Sequence, residues 1–421
     1  MRSFSVGDPQ PASADLAHLP EIGALVGQGK GQRSGHASAT VLKGEIKMKN
    51  LFVGFSLFVV TLTANLAWAD VAEVSPRRAS GGMAIEFKNH RLEPSASPTP
   101  LPRAVELSAG QRRVANLAEP VFQSNPALAM VIVDRGQIIY EAYKDPASAD
   151  TAQFSWSMSK SLTAYTVGHL LCDGKIASLD DPAKLHAPEL ENTVYGDASL
   201  RNLMTMSSGA PDSPFHGNAY KTATSDQWQD QRAGRVTGLE VIKQYGRREI
   251  ASGREFRYLG NDTQSLAVIA DRLGGFIAAF DRYIWRQIGA EASGYWLQDR
   301  DGAAIAQAGF SATARDWARL AMFTIKTQKS GSACLQGFLR EAHTMQLPNK
   351  KKRAGAAFDG YGYQTWTDPN FGNRRSYWWV GFGGQRVGID AQQERIIVVS
   401  SWRESYMPDV YRVFAALQQM R

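Results

Sequence analysis

Apolar strand-like runs near both ends of the chain, with helical patterns between them, constrain the fold more than any other feature. Ala127 to Val133 is apolar, Asp134-Arg135-Gly136 reads as a turn, and Gln137 to Tyr143 resumes the run. That pattern predicts a β-hairpin. Far downstream, Tyr361–Thr367, Ser376–Phe382, Gln385–Asp390 and Arg395–Ser401 read as strands, and Val410 to Met420 as a closing helix. Between them, Ser157 to Cys172 carries Leu162, Tyr165, His169 and Cys172 at helical spacing, and 262–273 and 312–324 predict two more helices. In the last of these, Asp316, Arg319 and Lys326 suit a solvent face. The expected fold class is α/β (α+β): one antiparallel sheet formed from both chain ends, flanked by helices, with a mostly helical middle subdomain.

Residues 1–47 are rich in Gly, Ala and Ser without periodicity, and are expected to be an upstream extension absent from the mature protein. Met48-Lys49-Asn50, the apolar run from Leu51 to Ala64 and Ala67-Trp68-Ala69 have the form of a signal peptide over 48–69, with Met48 as the true start. The run is short for a bilayer span, so no stable membrane insertion is expected after its removal. A Pro- and Ser-containing lead-in over 70–105, expected to be extended, precedes a single domain over 106–421. The expected location is periplasmic or secreted. Net charge is +7, and without residues 1–69 the chain holds 41 Lys and Arg against 36 Asp and Glu. That mild excess gives no support to nucleic-acid binding, and Asn349-Lys350-Lys351-Lys352-Arg353 reads as a solvated loop. An exported protein could bridge Cys172 and Cys334, but the sequence leaves their pairing open. Histidines are scattered, and no metal or cofactor is assigned.

The chemistry-bearing stretch is Ser157-Met158-Ser159-Lys160, the one Ser-x-x-Lys spacing in the chain. Three positions along a helix bring a hydroxyl and an amine onto one face. A serine hydroxyl needs a neighbour to take its proton, and a lysine kept partly neutral by burial can do so. Read alone, Ser157 is as well explained as a helix N-cap. Two further stretches raise the case. Tyr258, just before a predicted helix, can present a phenol to a cleft, where hydrogen bonding to a lysine ammonium would ease its ionisation and make it a general base. Gly381-Phe382-Gly383-Gly384-Gln385 lies between two strand patterns, where glycines weaken a strand unless something must approach the backbone. A substrate is one such thing, and an N–H from this stretch with that of Ser157 would form an oxyanion hole.

These stretches occur in the order used by serine β-lactamases and penicillin-binding proteins. The chain resembles their class C-related branch, which includes esterases and 6-aminohexanoate-dimer hydrolases. Leu203-Met204-Thr205-Met206-Ser207-Ser208-Gly209, Tyr258 to Gln264 and Phe310 to Asp316 resemble further segments of that branch, and the similarity spans about 115–420. The resemblance implies a β-lactamase-like fold, an acyl-enzyme on Ser157, proton sharing by Lys160 and Tyr258, and a substrate strand at Phe382, Gly383, Gly384 and Gln385. Two departures stand out. Phe382-Gly383-Gly384, or its neighbour by one residue, occupies the place of Lys-Thr-Gly, so the lysine that seats a substrate carboxylate is missing, and Arg386 is a possible replacement. Gly260 stands where an Asn or Ser side chain is expected, with Asn261 following as a possible substrate-binding residue.

The leading expectation is a secreted serine hydrolase cleaving a small-molecule amide or ester. Asp212 or Asp262 is then a candidate to meet a cationic amine on the substrate. The alternatives are a penicillin-interacting enzyme, either β-lactamase or D-amino-acid peptidase, and a catalytically silent ligand-binding module on the same fold.

Overall fold

The computed structural model describes residues 75–211, 230–244, 246–352 and 354–421. The extension, the signal-peptide pattern and Asp212 lie outside the described residues. Eight strands form the main antiparallel sheet: β2 (Ala127–Asp134), β3 (Gln137–Tyr143), β7 (Leu347–Pro348), β8 (Phe358–Tyr361), β9 (Trp366–Pro369), β10 (Tyr377–Gly381), β11 (Gln385–Asp390) and β12 (Arg395–Ser401). Their order is β3-β2-β12-β11-β10-β9-β8-β7. The two chain ends meet where β12 pairs β2, from Arg395 opposite Asp134 to Ser401 opposite Ala127.

The central strands are covered on both faces, which is why they read as unbroken apolar runs. Val131 and Val133 of β2 and Ile396 and Val398 of β12 face one core, shared with Leu162 and Trp317. Met130, Ile132, Ile397 and Val399 alternate to the other. That second core is closed by α1 (Ala109–Gln123), through Val114, Ala118 and Phe122, and by α6 (Met407–Gln419), through Val410, Phe414 and Leu417. The opposite face holds α2 (Ser159–Cys172), α3 (Gly260–Arg272), α4 (Ala314–Ser330) and α5 (Ala333–Ala342). Helix α2 is buried nearly all round, as a central helix must be. Its last residue, Cys172, is disulfide-bonded to Cys334 in α5, with Cα atoms 5.6 Å apart.

Several expectations are corrected. A second, four-stranded sheet exists, in the order β1-β5-β6-β4: β1 (Asn89–Leu92), β4 (Gln153–Phe154), β5 (Gly294–Leu297) and β6 (Phe310–Ala312). Its first strand comes from the stretch expected to be an extended lead-in, whose described part also holds helical turns over Arg78–Gly82 and Met83–Glu86. The strand expected over Tyr361–Thr367 is two strands, β8 and β9, joined by a bend with Gln364 at φ 52°. Asp316 and Arg319 do not face solvent. They pair at 3.0 Å, almost fully buried, and the guanidinium also reaches Glu291 at 2.8 Å and the Thr99 carbonyl at 2.9 Å. The apolar periodicity of α4 predicted the helix, but partner supply decided where its charges sit.

Candidate active site

Ser157 lies in a short 3-10 turn, Trp156–Met158, that feeds α2. Trp156, immediately before it, has φ 47°, a sparsely populated conformation for a bulky residue and of the kind that collects at functional sites. Hydroxyl side chains fix the start of α2 against the segment before β6. Ser159 and Thr163 donate to the Ala306 carbonyl at 2.9 and 3.2 Å, and Ser161 donates to the Gln364 carbonyl at 2.5 Å. This anchoring brings Lys160 to the next carbonyl, that of Gln307, to which its ammonium nitrogen donates. The same nitrogen lies 3.1 Å from Ser157 Oγ. Burial lowers the lysine to about 7, so near neutral pH much of it is a free amine able to take the serine proton.

Tyr258 arrives from a different part of the chain. The 203–210 segment holds it in place: the Arg257 N–H donates to the Met206 carbonyl at 2.8 Å and its guanidinium to the Ala210 carbonyl at 2.9 Å. The phenol ring lies against Trp366, 5.2 Å between centroids. The Ser157 side chain favours its ionised form, and Lys160 Nζ sits 5.5 Å from the ring centroid. The expected ionisation is reversed. Burial pushes the phenol up to about 12, against the opposing pull of the Ser157 side chain and of the Arg386 guanidinium. Tyr258 is therefore a protonated phenol at neutral pH, while Lys160 is the group of the pair able to accept a proton there.

The Gly-rich hairpin end abuts the Ser157 turn, but much of what approaches its backbone is the chain itself. A Cβ on Gly381 would collide with the Ser155 carbonyl. Gly384, at φ +91°, leaves room for the Arg403 carbonyl, 2.6 Å from where a Cβ would be. The Gly383 N–H donates to a Glu404 carboxylate oxygen at 3.1 Å. The Gln385 side chain turns inward and donates to the Ser401 carbonyl, and the residue is fully buried. Phe382 is exposed and packs edge-on against Trp156, 5.5 Å between centroids. Arg386 is buried, donating to the Gly381 and Gln385 carbonyls at 2.6 and 2.9 Å and reaching Glu404 at 3.4 Å.

The remaining candidates separate. Asn261 is half-buried on the first turn of α3, beside the tyrosine. Asp262 is fully buried and accepts from the Ser208 hydroxyl at 2.6 Å and from its N–H at 3.3 Å. Burial pushes this carboxyl up to about 8, so it is a structural tie rather than a partner for a cationic substrate. Sequence reasoning missed Gln307 and Gln364. The Gln307 side chain fills the space opposite Gly260, where a Cβ would collide with its Oε1. The gap at Gly260 was the available signal that another part of the chain enters there. Gln364 accepts from Thr263 of α3 at 2.8 Å, donates to the Leu203 carbonyl at 2.8 Å, and its N–H donates to the Met204 carbonyl at 2.8 Å.

With this architecture, the chain belongs to the Beta-lactamase family, whose pattern matches residues 114–419, and is a hydrolase of that family's general kind. It is 26% identical over 321 residues, 72% of this chain and 80% of the relative, to the 6-aminohexanoate-dimer hydrolase of Paenarthrobacter ureafaciens. Its fold is similar to that of a Bacillus anthracis protein carrying a provisional 6-aminohexanoate-dimer hydrolase name (TM-score 0.67, 21% identity, covering 82% of this chain and 93% of that one). It is similar also to EstCE1, a hydrolase with promiscuous acyltransferase activity (TM-score 0.62, 13% identity, 74% and 100% covered).

Proposed function

We propose that the protein is an exported serine hydrolase that cleaves a small amide or ester through an acyl-enzyme on Ser157. The observation that carries this reading is the 3.1 Å contact between Ser157 Oγ and a lysine amine lowered to about 7. The neutral amine of Lys160 takes the hydroxyl proton as Oγ adds to the substrate carbonyl. The oxyanion is met by the Ser157 N–H and by a hairpin N–H from Phe382, Gly384 or Gln385, since that of Gly383 is committed to Glu404. Tyr258, whose ionisation the Ser157 side chain favours, gives its proton to the leaving amine or alcohol and recovers one from the Lys160 ammonium. Water then adds to the acyl carbonyl with Lys160 again as base, and the Lys160 ammonium returns that proton to Ser157 Oγ as the carboxylic acid leaves. The relative acting on 6-aminohexanoate dimer supports a linear amide, and the esterase-like neighbour supports an ester. The Cys172–Cys334 bond supports an oxidising compartment, in line with the signal-peptide pattern at 48–69.

The test is labelling with a fluorophosphonate probe followed by mapping of the modified residue, beside hydrolysis of 4-nitrophenyl butyrate. Label on Ser157, together with loss of labelling and about a 10³-fold or greater loss of kcat in Ser157→Ala, is expected. Turnover retained by that variant overturns the reading.

A further inference from the structure

Beside the Ser157 turn, the chain builds a seat for a carboxylate and fills it with one of its own. The seat has two donors. One is the Gly383 N–H, aimed at Glu404 Oε1 at 3.1 Å. The other is the Arg386 guanidinium, 3.4 Å from Glu404 Oε2 and otherwise tied to the Gly381 and Gln385 carbonyls and, at 3.3 Å, to the Tyr411 hydroxyl. Arg386 is 4% exposed, so its charge cannot swing away into water. Glu404 belongs to the loop between β12 and α6, and its side chain is 49% exposed. The loop is pressed onto the hairpin. The Gln385 side chain donates to the Ser401 carbonyl, Ser401 Oγ donates to the Arg403 carbonyl at 2.9 Å, and that carbonyl rests on Gly384. The seat is close to the reacting groups: Gly381, which Arg386 holds, packs on the Ser155 carbonyl two residues before the nucleophile, and both Arg386 and Glu404 bear electrostatically on the Tyr258 phenol.

We infer that Glu404 is a specificity-determining residue: its carboxylate occupies the anion seat formed by Arg386 and the Gly383 N–H, so the site discriminates against substrates that carry a carboxylate there and accepts neutral or cationic amides and esters. A carboxylate substrate must displace Glu404 or meet it as a like charge a few ångströms away, and either costs binding. With the seat open, a bound carboxylate gains two charge-assisted hydrogen bonds. The inference rests on the serine-hydrolase reading and names the substrate class of that site.

The experiment compares matched substrates on the full mature protein and on Glu404→Gln and Glu404→Ala. One pair is 4-nitrophenyl butyrate and the mono-4-nitrophenyl ester of succinate, which differ by a carboxylate on the acyl side. The other is the butyrate ester of 4-hydroxybenzamide and that of 4-hydroxybenzoate, which differ by a carboxylate on the leaving group. The expected result is a rise of about tenfold or more in the ratio of kcat/KM for the charged over the neutral member of at least one pair, larger in Glu404→Ala. Glu404→Gln keeps a hydrogen-bond acceptor for Gly383 and serves if the alanine variant leaves Arg386 too poorly compensated to fold. Unchanged ratios in both pairs for a folded variant overturn the inference. Failure of the hydrolase reading shows separately, as no turnover of any neutral ester and no label on Ser157 in the unsubstituted protein.

Discussion

At the scale of single residues, the division of labour between Lys160 and Tyr258 follows from burial acting on groups of opposite charge type. Desolvation disfavours the charged form of each, so it lowers the amine to about 7 and raises the phenol to about 12. In the proposed reaction the first group is then the base at neutral pH and the second the proton donor. For a neutral ester, kcat/KM is therefore expected to rise tenfold per pH unit below about 7 and to level above it, as the Lys160 ammonium loses its proton. A pH–rate profile with no inflection between 6 and 8 contradicts this. Stability carries the same signature with a definite sign. The folded lysine sits below its unfolded value, so the unfolded chain binds more protons between about 7 and about 10, and stability rises with pH across that window. Asp262, raised to about 8, contributes stability that is lost as pH rises from about 4 to about 8. The difference between Lys160→Met and the unsubstituted protein cancels the Asp262 contribution. The variant is expected to be more stable at pH 6 by on the order of 5 kcal/mol, with the gap closing toward pH 10. Urea unfolding at several pH values measures it.

At the scale of elements, much of the scaffold was legible, and the reason is physical. Strands β3, β11 and β12 have the ends that their sequence patterns predict, because each is bounded by turn residues, and β11 and β12 are buried along their length. The Ser157–Lys160 pairing was legible because it is local to one turn. What escaped was set by contacts between distant segments. Nothing near Tyr361–Thr367 announces that Gln364 adopts φ 52° and leaves the sheet, because its backbone and side chain bond to three other segments. Those bonds join α2, α3 and the 203–210 segment, the elements that carry or brace Ser157, Lys160 and Tyr258. Glu404 likewise has no local motif, and only loop packing brings it to Gly383. Gln364→Ala is expected to cost roughly 2 to 4 kcal/mol, since it strips a 2%-exposed residue of two side-chain hydrogen bonds and leaves the Thr263 hydroxyl without this acceptor. Activity should fall with it, because α3 is then less firmly held against the Ser157 turn. Thermal unfolding and kcat, read together, separate this outcome from Ser157→Ala, where activity falls while stability holds.

At the scale of the whole molecule, the helix that starts at the nucleophile ends in a covalent tie. Ser159 and Thr163 hold the first turn of α2 on the Ala306 carbonyl, and Cys172 holds its last residue to α5 across a sequence separation of 162. In the chain-entropy picture, so long a loop gives a disulfide a stabilising contribution of about 5 kcal/mol, and removal of a native bridge commonly costs about 2 to 5. The double substitution Cys172→Ala and Cys334→Ala is expected to lower unfolding stability within that range. The proposed catalytic groups lie at the opposite end of α2, whose anchoring there is by hydrogen bonds to Ala306, Gln307 and Gln364 and does not depend on the bridge. The folded fraction of the variant should therefore keep kcat within about twofold at 25 °C, with a loss confined to stability. Paired measurement of unfolding in urea and of ester turnover per folded molecule checks both halves. A large fall in kcat with little change in stability would show that the bridge sets the position of Ser157 and Lys160 rather than merely holding the fold that contains them.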